Sequence, residues 1–486
     1  MSSLLRLRTI TCTLVLLSPA CVAKLTDRNS PAPNGAVTGP AANCAVETPL
    51  PHGAPGGEAA PKLVGRFAFS EETPGEALFD WSGNYVTVRF QGTSQVTARL
   101  RLPGEVPEDQ LFTFVVDNQP PEKRLITVKT DAAGKPTLEP EERYDVTGLD
   151  PAVPHELTIY KDTEAQKGGV VFKGFDLHGG TMLPPTRRPR RIEFIGDSIT
   201  CGYGNEGKNA TCPFETKVRE VTVPGRNGAP PHTEAITVPL TENQYLSFAA
   251  IAARELDADA VTICFSGKGV YLNYKERFKT DPNDPTKWLY RSDDHSLANR
   301  VPEEDAKTTM SQYWATRTVA TDFQGNAWDF SKERPEEIPQ VVFISLGTND
   351  LSRDTKEPAS DPTKQEGDNQ PDGDLARPEE RERFFQAYLA LVKQVREKRP
   401  DAQILLATPP MVSDQFPFEN ARTLLRGTLA RIVDDRARAG DAKVYRMELV
   451  EQGFRYGLGC DYHPNLEVHR IMATQLVGAI RSKTCW

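Results

Sequence analysis

Between Leu63 and His178 apolar and polar residues alternate in short runs. Val64–Phe69, Tyr85–Phe90, Gln95–Leu100, Leu111–Val116, Leu125–Val128, His155–Tyr160 and Val170–Phe175 are examples. A period of two predicts half-buried strands, and Asp117-Asn118 and Asp131 to Gly134 supply turns between them. Many short strands at regular spacing, with no competing helical period, predict a β-sandwich or jelly roll.

From Arg191 onward the pattern changes. Arg191–Ile195, Ala260–Phe265, Gln340–Ser345, Ala402–Ala407 and Ala442–Arg446 read as strands. Asn243–Leu256, Pro378–Lys398, Ala421–Ala439 and Asn465–Ser482 carry helical periodicity. Strands alternating with helices predict an α/β domain with a parallel sheet covered on both faces, and ligands then bind at the carboxyl ends of the strands. Three long polar stretches break the rhythm: Glu206–Pro239, Leu272–Pro339 and Leu351–Arg377. All leave strand ends on the side expected for ligands, so they are candidates for the walls of a cleft; solvated insertions are the plainer reading.

At 486 residues the chain exceeds what one core usually needs, so two domains are expected. A net charge of −9 with 26% charged residues gives no footprint for nucleic acid or an anionic membrane surface. The N-terminus has export features: Arg6 and Arg8, an apolar run from Ile10 to Leu17, and small residues at Ser18-Pro-Ala20. The run is too short to span a bilayer. Residues 24–62, rich in Pro, Gly, Ala, Asn and Thr, read as a disordered linker. The organisation expected is therefore a signal peptide at 1–23, that linker, a β-sandwich at 63–185 and an α/β domain at 186–486, with Thr186–Arg190 joining the last two.

Six cysteines follow Cys21, at 44, 201, 212, 264, 460 and 485. In an exported chain an even count permits three disulfides. Cys201 and Cys212 close a short loop, Cys460 and Cys485 bracket the last helix, and Cys264 lies in an apolar strand where a free thiol is common. The sequence leaves the pairing open.

Four separated stretches carry parts of one chemistry. Gly196-Asp-Ser198 follows the first α/β strand, where a turn opens a helix; Ser198 there is exposed, with its amide at the positive end of a dipole. Gly267 in Cys264-Phe-Ser-Gly267-Lys-Gly269 offers a backbone N–H after a second strand, and Asn349 in Ser345-Leu-Gly-Thr-Asn349-Asp350 offers a side-chain amide after a third. His463, in Cys460-Asp461-Tyr-His463-Pro464, supplies a general base before the last helix. Singly, each has a bland reading as a cap or a turn glycine. Together, in order and at strand ends, they are what ester hydrolysis needs: a nucleophile, a base, a group fixing the imidazole and donors for an oxyanion.

These stretches resemble the GDSL/SGNH hydrolase superfamily. Gly-Asp-Ser198-Ile-Thr-Cys-Gly-Tyr-Gly-Asn-Glu206 and the preceding sandwich are similar to carbohydrate esterase family 2. The resemblance implies a flavodoxin-like α/β/α domain, no metal or other cofactor, and removal of acetyl groups from plant polysaccharide such as xylan or glucomannan. It implies Ser198 as nucleophile, His463 as base, and an oxyanion hole of the Ser198 amide, Gly267 N–H and the Asn349 side chain. The superfamily usually has Asp three residues before the histidine, where this chain has Cys460. Asp461, two residues before, is the expected orienter, with a backbone carbonyl as the alternative. Cys21 resembles a lipidated lipoprotein cysteine, although Ser18 replaces the usual Leu; cleavage near Ala20 or Ala23 and release is the alternative. The expected partner is an acetylated polysaccharide, met outside the cell or from its surface. Competing readings are an esterase for lipid or aryl esters and a non-catalytic carbohydrate-binding surface protein. The stretch Asp368–Glu379 has calcium-loop spacing and Asp293-Asp294-His295 is a small acidic cluster, but each reads better as solvated loop.

Overall fold

The computed structural model describes residue 37 and residues 58–486 apart from 70–72, 103–108, 118, 128–141, 214, 224–229, 231, 275–276, 282–283, 293–308, 320–325, 353–374, 376 and 454. The leader, Cys21, most of the linker, Asp293–His295 and most of the calcium-like stretch lie outside the described residues.

Eleven strands build the first layer pair: β1 (Lys62–Val64), β2 (Ala68–Phe69), β3 (Ala77–Phe79), β4 (Tyr85–Gln91), β5 (Gln95–Arg101), β6 (Gln110–Val116), β7 (Glu122–Ile126), β8 (Glu142–Thr147), β9 (His155–Lys161), β10 (Val170–Asp176) and β11 (Thr181–Leu183). They form two antiparallel sheets, β1-β4-β9-β6-β7 with β11 added on β4, and β2-β3-β10-β5-β8. Alternate residues point inward, and Phe79, Val88, Phe90, Phe112, Leu157 and Phe172 fill the space between the sheets. The expected sandwich is present.

The rest of the chain contains β12 (Arg190–Gly196), α1 (Ser198–Cys201), β13 (Thr216–Val223), β14 (His232–Val238), α2 (Phe248–Glu255), β15 (Ala258–Cys264), β16 (Arg277–Asp281), β17 (Asp284–Ser292), α3 (Met310–Tyr313), β18 (Val341–Ser345), α4 (Pro378–Lys398), β19 (Gln403–Thr408), α5 (Ala421–Arg438), β20 (Val444–Glu448) and α6 (Leu466–Thr484). Five strands form an all-parallel sheet in the order β15-β12-β18-β19-β20, the flavodoxin-like arrangement. The central strands β12, β18 and β19 bury apolar side chains on both faces. Phe194, Phe343 and Leu405 face one core with α2 and α6, and Ile195, Ile344 and Leu406 face the other with α4 and α5. Two of the polar insertions are not structureless: β13 pairs with β14 and β16 with β17 as antiparallel hairpins.

The sandwich does not hang from a free linker. Val64, Trp81, Tyr85 and Tyr160 belong to the same apolar cluster as Ile195, Ile263 and Trp314. Arg66 from the sandwich pairs with Glu193 of β12 at 3.0 Å, and Arg399 pairs with the same carboxylate at 2.9 Å; all three side chains are buried. Tyr85 donates to Asp259 at 2.7 Å and Lys62 pairs with it at 2.8 Å.

The disulfides settle a pairing that the sequence leaves open. Cys201 bonds Cys264, and Cys212 bonds Cys460; Cys485 is also in a disulfide. Cys264 is therefore not a free thiol, and the Cys201–Cys212 and Cys460–Cys485 pairs do not form. Neighbouring strand ends decide it: β12 and β15 run side by side with Gly196 opposite Cys264, which brings Cys201 in α1 to the end of β15.

Candidate active site

β12 lies between β15 and β18, with Gly196 level with Cys264 and Ser345. Ser198, Gly267 and Asn349 follow those three ends within a few residues, so one edge of the sheet carries all three. The turn into α1 is capped by Asp197, whose side chain accepts the Ile199 N–H at 3.1 Å. That places Ser198 as the first helical residue with its amide in the unbonded first turn.

Ser198 and His463 meet although 265 residues apart. Ser198 Oγ lies 2.9 Å from His463 Nε2, and both side chains are largely buried, so Ser198 is not the exposed residue that the sequence predicts. His463 Nδ1 lies 2.8 Å from the backbone oxygen of Asp461. A carbonyl can only accept, so Nδ1 carries the hydrogen and Nε2 presents its lone pair to the serine hydroxyl. This is the tautomer a general base needs. Burial pushes the His463 pKa below the usual imidazole value, partly opposed by the hydrogen bond to Asp461 and by that residue's charge.

The Asp461 carboxylate, expected beside the imidazole, does not contact it. Asp461 is exposed, and its Oδ2 receives the Tyr203 hydroxyl at 3.3 Å rather than the imidazole. The reason is local backbone. Asp461 and Tyr462 both take left-handed conformations, with φ of 49° and 58°. This turn aims the Asp461 carbonyl at the ring and sends the side chain outward. Two successive non-glycine residues there are costly, about 1–2 kcal/mol each, and the surroundings hold them. Cys460 is tied by the disulfide to Cys212, its N–H donates to Gly204 O at 3.0 Å, and Gln452 Nε2 donates to Tyr462 O at 2.6 Å. A Cβ on Gly207 would stand 2.3 Å from the Cys460 nitrogen, so the glycines after the serine motif permit this close approach.

Tyr203 covers the imidazole, its ring centroid 4.2 Å from that of His463 at an interplanar angle of 34°. Tyr203 lies within the serine motif, but nothing in the sequence signals this stacking.

The loops bearing Gly267 and Asn349 are clamped together. Asn349 Nδ2 donates to Lys268 O at 2.9 Å, using one of its two amide hydrogens. Asp350, fully buried, accepts the N–H groups of Val270, Tyr271 and Leu272 at 3.0, 2.7 and 2.9 Å. Gly267 has φ of +76°, the left-handed region, which suits glycine. Among the described residues no group of three or more His, Cys, Asp or Glu side chains is placed to hold a metal ion. The donors gathered here are N–H groups, suited to an anion.

Comparison with known proteins covers both halves. Residues 63–186 match the carbohydrate esterase 2 N-terminal family model, and residues 283–471 match that of the GDSL-like lipase/acylhydrolase family. The cellulase/esterase CelE of Acetivibrio thermocellus is 32% identical over 423 residues, which is 87% of this chain and 39% of that one. The chain thus spans well under half of that relative. An acetylxylan esterase/glucomannan deacetylase of Cellvibrio japonicus is 26% identical, covering 84% of this chain and 87% of its own. A solved structure of a family two carbohydrate esterase from Clostridium thermocellum in complex with cellohexaose is 29% identical with a TM-score of 0.59, covering 87% of this chain and 98% of that chain. Both halves thus match, the sandwich first and the hydrolase half after it, and over most of its length the chain is similar to family 2 carbohydrate esterases.

Proposed function

We propose that the protein is a serine esterase that removes O-acetyl groups from plant cell-wall polysaccharide of the xylan or glucomannan type. The observation that carries the reading is the Ser198 Oγ–His463 Nε2 contact of 2.9 Å, with Nδ1 already committed to a carbonyl. Serine Oγ attacks the acetyl carbon as its proton passes to Nε2. The tetrahedral oxyanion is met by the Ser198 and Gly267 N–H groups and the second amide hydrogen of Asn349. The C–O bond to the sugar then breaks, and the sugar oxygen takes the proton from the imidazolium. Water, deprotonated by His463, attacks the acetyl-serine; acetate leaves and Ser198 regains its hydrogen. Asp461 enters through its carbonyl, so the machinery is a Ser198–His463 pair with a backbone orienter.

Polysaccharide as substrate is supported by the names of the two curated relatives, cellulase/esterase and acetylxylan esterase/glucomannan deacetylase, and by cellohexaose in the solved relative. The test is acetate release from acetylated xylan and glucomannan, beside a long-chain ester. Ser198→Ala and His463→Ala should each abolish release in a folded protein. Preference for the long-chain ester would move the substrate to lipid; release by Ser198→Ala would remove the mechanism.

An extracellular substrate requires export, which the leader supports. We propose that the enzyme acts at the cell surface, lipidated at Cys21 and tethered through residues 24–62. Cys21→Ser should move the protein from the membrane fraction to the medium; wild type already in the medium would refute the anchor.

A further inference from the structure

Between the sandwich and the α/β domain lies a set of buried ionisable side chains that ester hydrolysis, as described, does not use. Lys161, Asp162 and Glu164 come from the end of β9 and the turn after it, and Glu242 from the segment preceding α2; all four are 0% exposed. Lys161 Nζ is spent on local acceptors, the carbonyls of Thr163 at 2.6 Å and Glu164 at 3.2 Å. Asp162 receives the Thr113 hydroxyl at 2.6 Å and the Tyr245 N–H at 3.1 Å, which is a structural pin. Glu164 does something else. Its carboxylate crosses to the α/β domain and takes both donors of one residue: Ser266 N–H on Oε2 at 2.6 Å, and the Ser266 hydroxyl on Oε1.

Ser266 immediately precedes Gly267. The peptide between them is planar, so the direction of the Gly267 N–H follows from how Ser266 is held and from its one remaining dihedral. A rigid carboxylate gripping both N–H and Oγ–H fixes the first. The second is fixed from the far side, where Gly267 O accepts the Tyr274 N–H at 2.7 Å and Lys268 O accepts Asn349 Nδ2 at 2.9 Å. Phe265 N–H, one residue earlier, donates to Gly196 O at 3.2 Å, which ties the loop to the strand that delivers Ser198. Among these contacts only the Glu164 grip comes from the sandwich.

From this geometry we propose that Glu164 is a positioning residue for ester hydrolysis: the sandwich contributes its ionised carboxylate, which aims the Gly267 N–H at the oxyanion. The proposal rests on the esterase reading above.

The ionised form matters. A carboxylate accepts from both Ser266 donors at once; once it is protonated, its hydrogen competes with them, and the Ser266 hydroxyl has to turn round to accept it. Burial raises the Glu164 pKa to about 7, against the lowering effect of the Ser266 bonds and of Lys161 and Lys167. The charged or titratable groups facing it are Lys161 and Lys167 from the sandwich side, and Glu242 and Tyr203 from the α/β side. Burial and the neighbouring Glu164 keep Glu242 protonated well above the usual carboxylate range. Glu164 therefore gains its charge near neutral pH, and the oxyanion loop tightens as pH rises through about 7. His463, with its lowered pKa, loses its proton at lower pH. Two separate steps should appear in the acid limb of the rate.

An oxyanion donor acts on the transition state more than on bound substrate, so misaiming it lowers kcat and spares KM. Removing such a donor outright costs about 100- to 1,000-fold; misaiming it should cost about 10- to 100-fold. The experiment uses the purified full chain with 4-nitrophenyl acetate and acetylated xylo-oligosaccharide, measured from acid to alkaline pH. Glu164→Gln keeps the size but leaves one acceptor in place of two and removes the charge, so the Ser266 hydroxyl must turn round to accept the NH2. It should lower kcat about 10- to 100-fold with KM changed less than about threefold. It should also lose the upper of the two acid steps, leaving the His463 step. A merely structural role for Glu164 would not move that step. Unchanged kcat in Glu164→Gln, or persistence of the upper step, overturns the proposal. If Glu164→Gln does not fold, Ser266→Ala removes one of the two bonds from the other side and should show the same kcat loss with KM kept; a wild-type profile there overturns the proposal equally. Wild type with no esterase activity would instead sink the esterase reading, and this proposal with it.

Discussion

Asp461→Asn separates two ways of holding His463. In the structure Nδ1 bonds the Asp461 carbonyl at 2.8 Å, and that carbonyl survives the substitution. Asparagine also tolerates the left-handed backbone at φ 49°, so the turn that aims the carbonyl should persist. What is lost is one negative charge on an exposed side chain, beside an imidazole that becomes positive during the reaction. Exposed charge pairs are worth about 0.2–1 kcal/mol, which converts to a loss of roughly 1.4- to 5-fold. A buried triad aspartate behaves otherwise: the same change there lowers turnover about 10⁴-fold. The two expectations differ by more than three orders of magnitude, so kcat for the acetyl ester decides between them. The acid limb set by His463 should also move to lower pH, because the Asp461 charge raises that pKa. A fall beyond about 100-fold in a folded variant, some 2.7 kcal/mol, would refute the reasoning and make the carboxylate the working partner.

Glu193→Ala should destabilise the protein by about 3–5 kcal/mol in a denaturant titration, because it strands the buried Arg66 and Arg399 without their shared anion; a loss below about 1 kcal/mol would contradict this. Cys212→Ser should lower kcat about 10- to 100-fold, since the disulfide to Cys460 helps hold the turn that presents His463, and small misplacements of a catalytic group have effects of that size. Full turnover in that variant would mean that the Gly204 and Gln452 contacts suffice.

The parts legible in the sequence share a physical property: their patterns are long or doubly constrained. Strands buried on both faces, such as Val341–Ile344 and Ile404–Ala407, read as unbroken apolar runs, and helices as long as Pro378–Lys398 give several turns of period. β3 and β11, three residues each, offer no period to detect, and β8, Glu-Arg-Tyr-Asp-Val-Thr, carries too few apolar residues to stand out. Ser198 and His463 were legible because glycines and strand ends frame them. The orienter was not, because the choice between the Asp461 side chain and its carbonyl is made by two φ angles that no residue type dictates.

Glu164 shows the same limit at larger scale. Tyr160-Lys-Asp-Thr-Glu164 reads as a polar turn at the end of a strand, and such a turn is normally solvated. It is buried because β9 ends against the α/β domain, where Asp162 meets Tyr245 and Glu164 meets Ser266. Burying four ionisable groups is expensive unless their bonds serve something. Two of the three carboxylates cross the boundary with specific hydrogen bonds, one to the segment before α2 and one to the residue before Gly267. An appended binding module would need no such contacts, since any apolar patch would attach it. A sandwich that reaches into the loop behind Gly267 is therefore better understood as part of the framework that shapes the active site, which explains why the two halves share one core and match their relatives together.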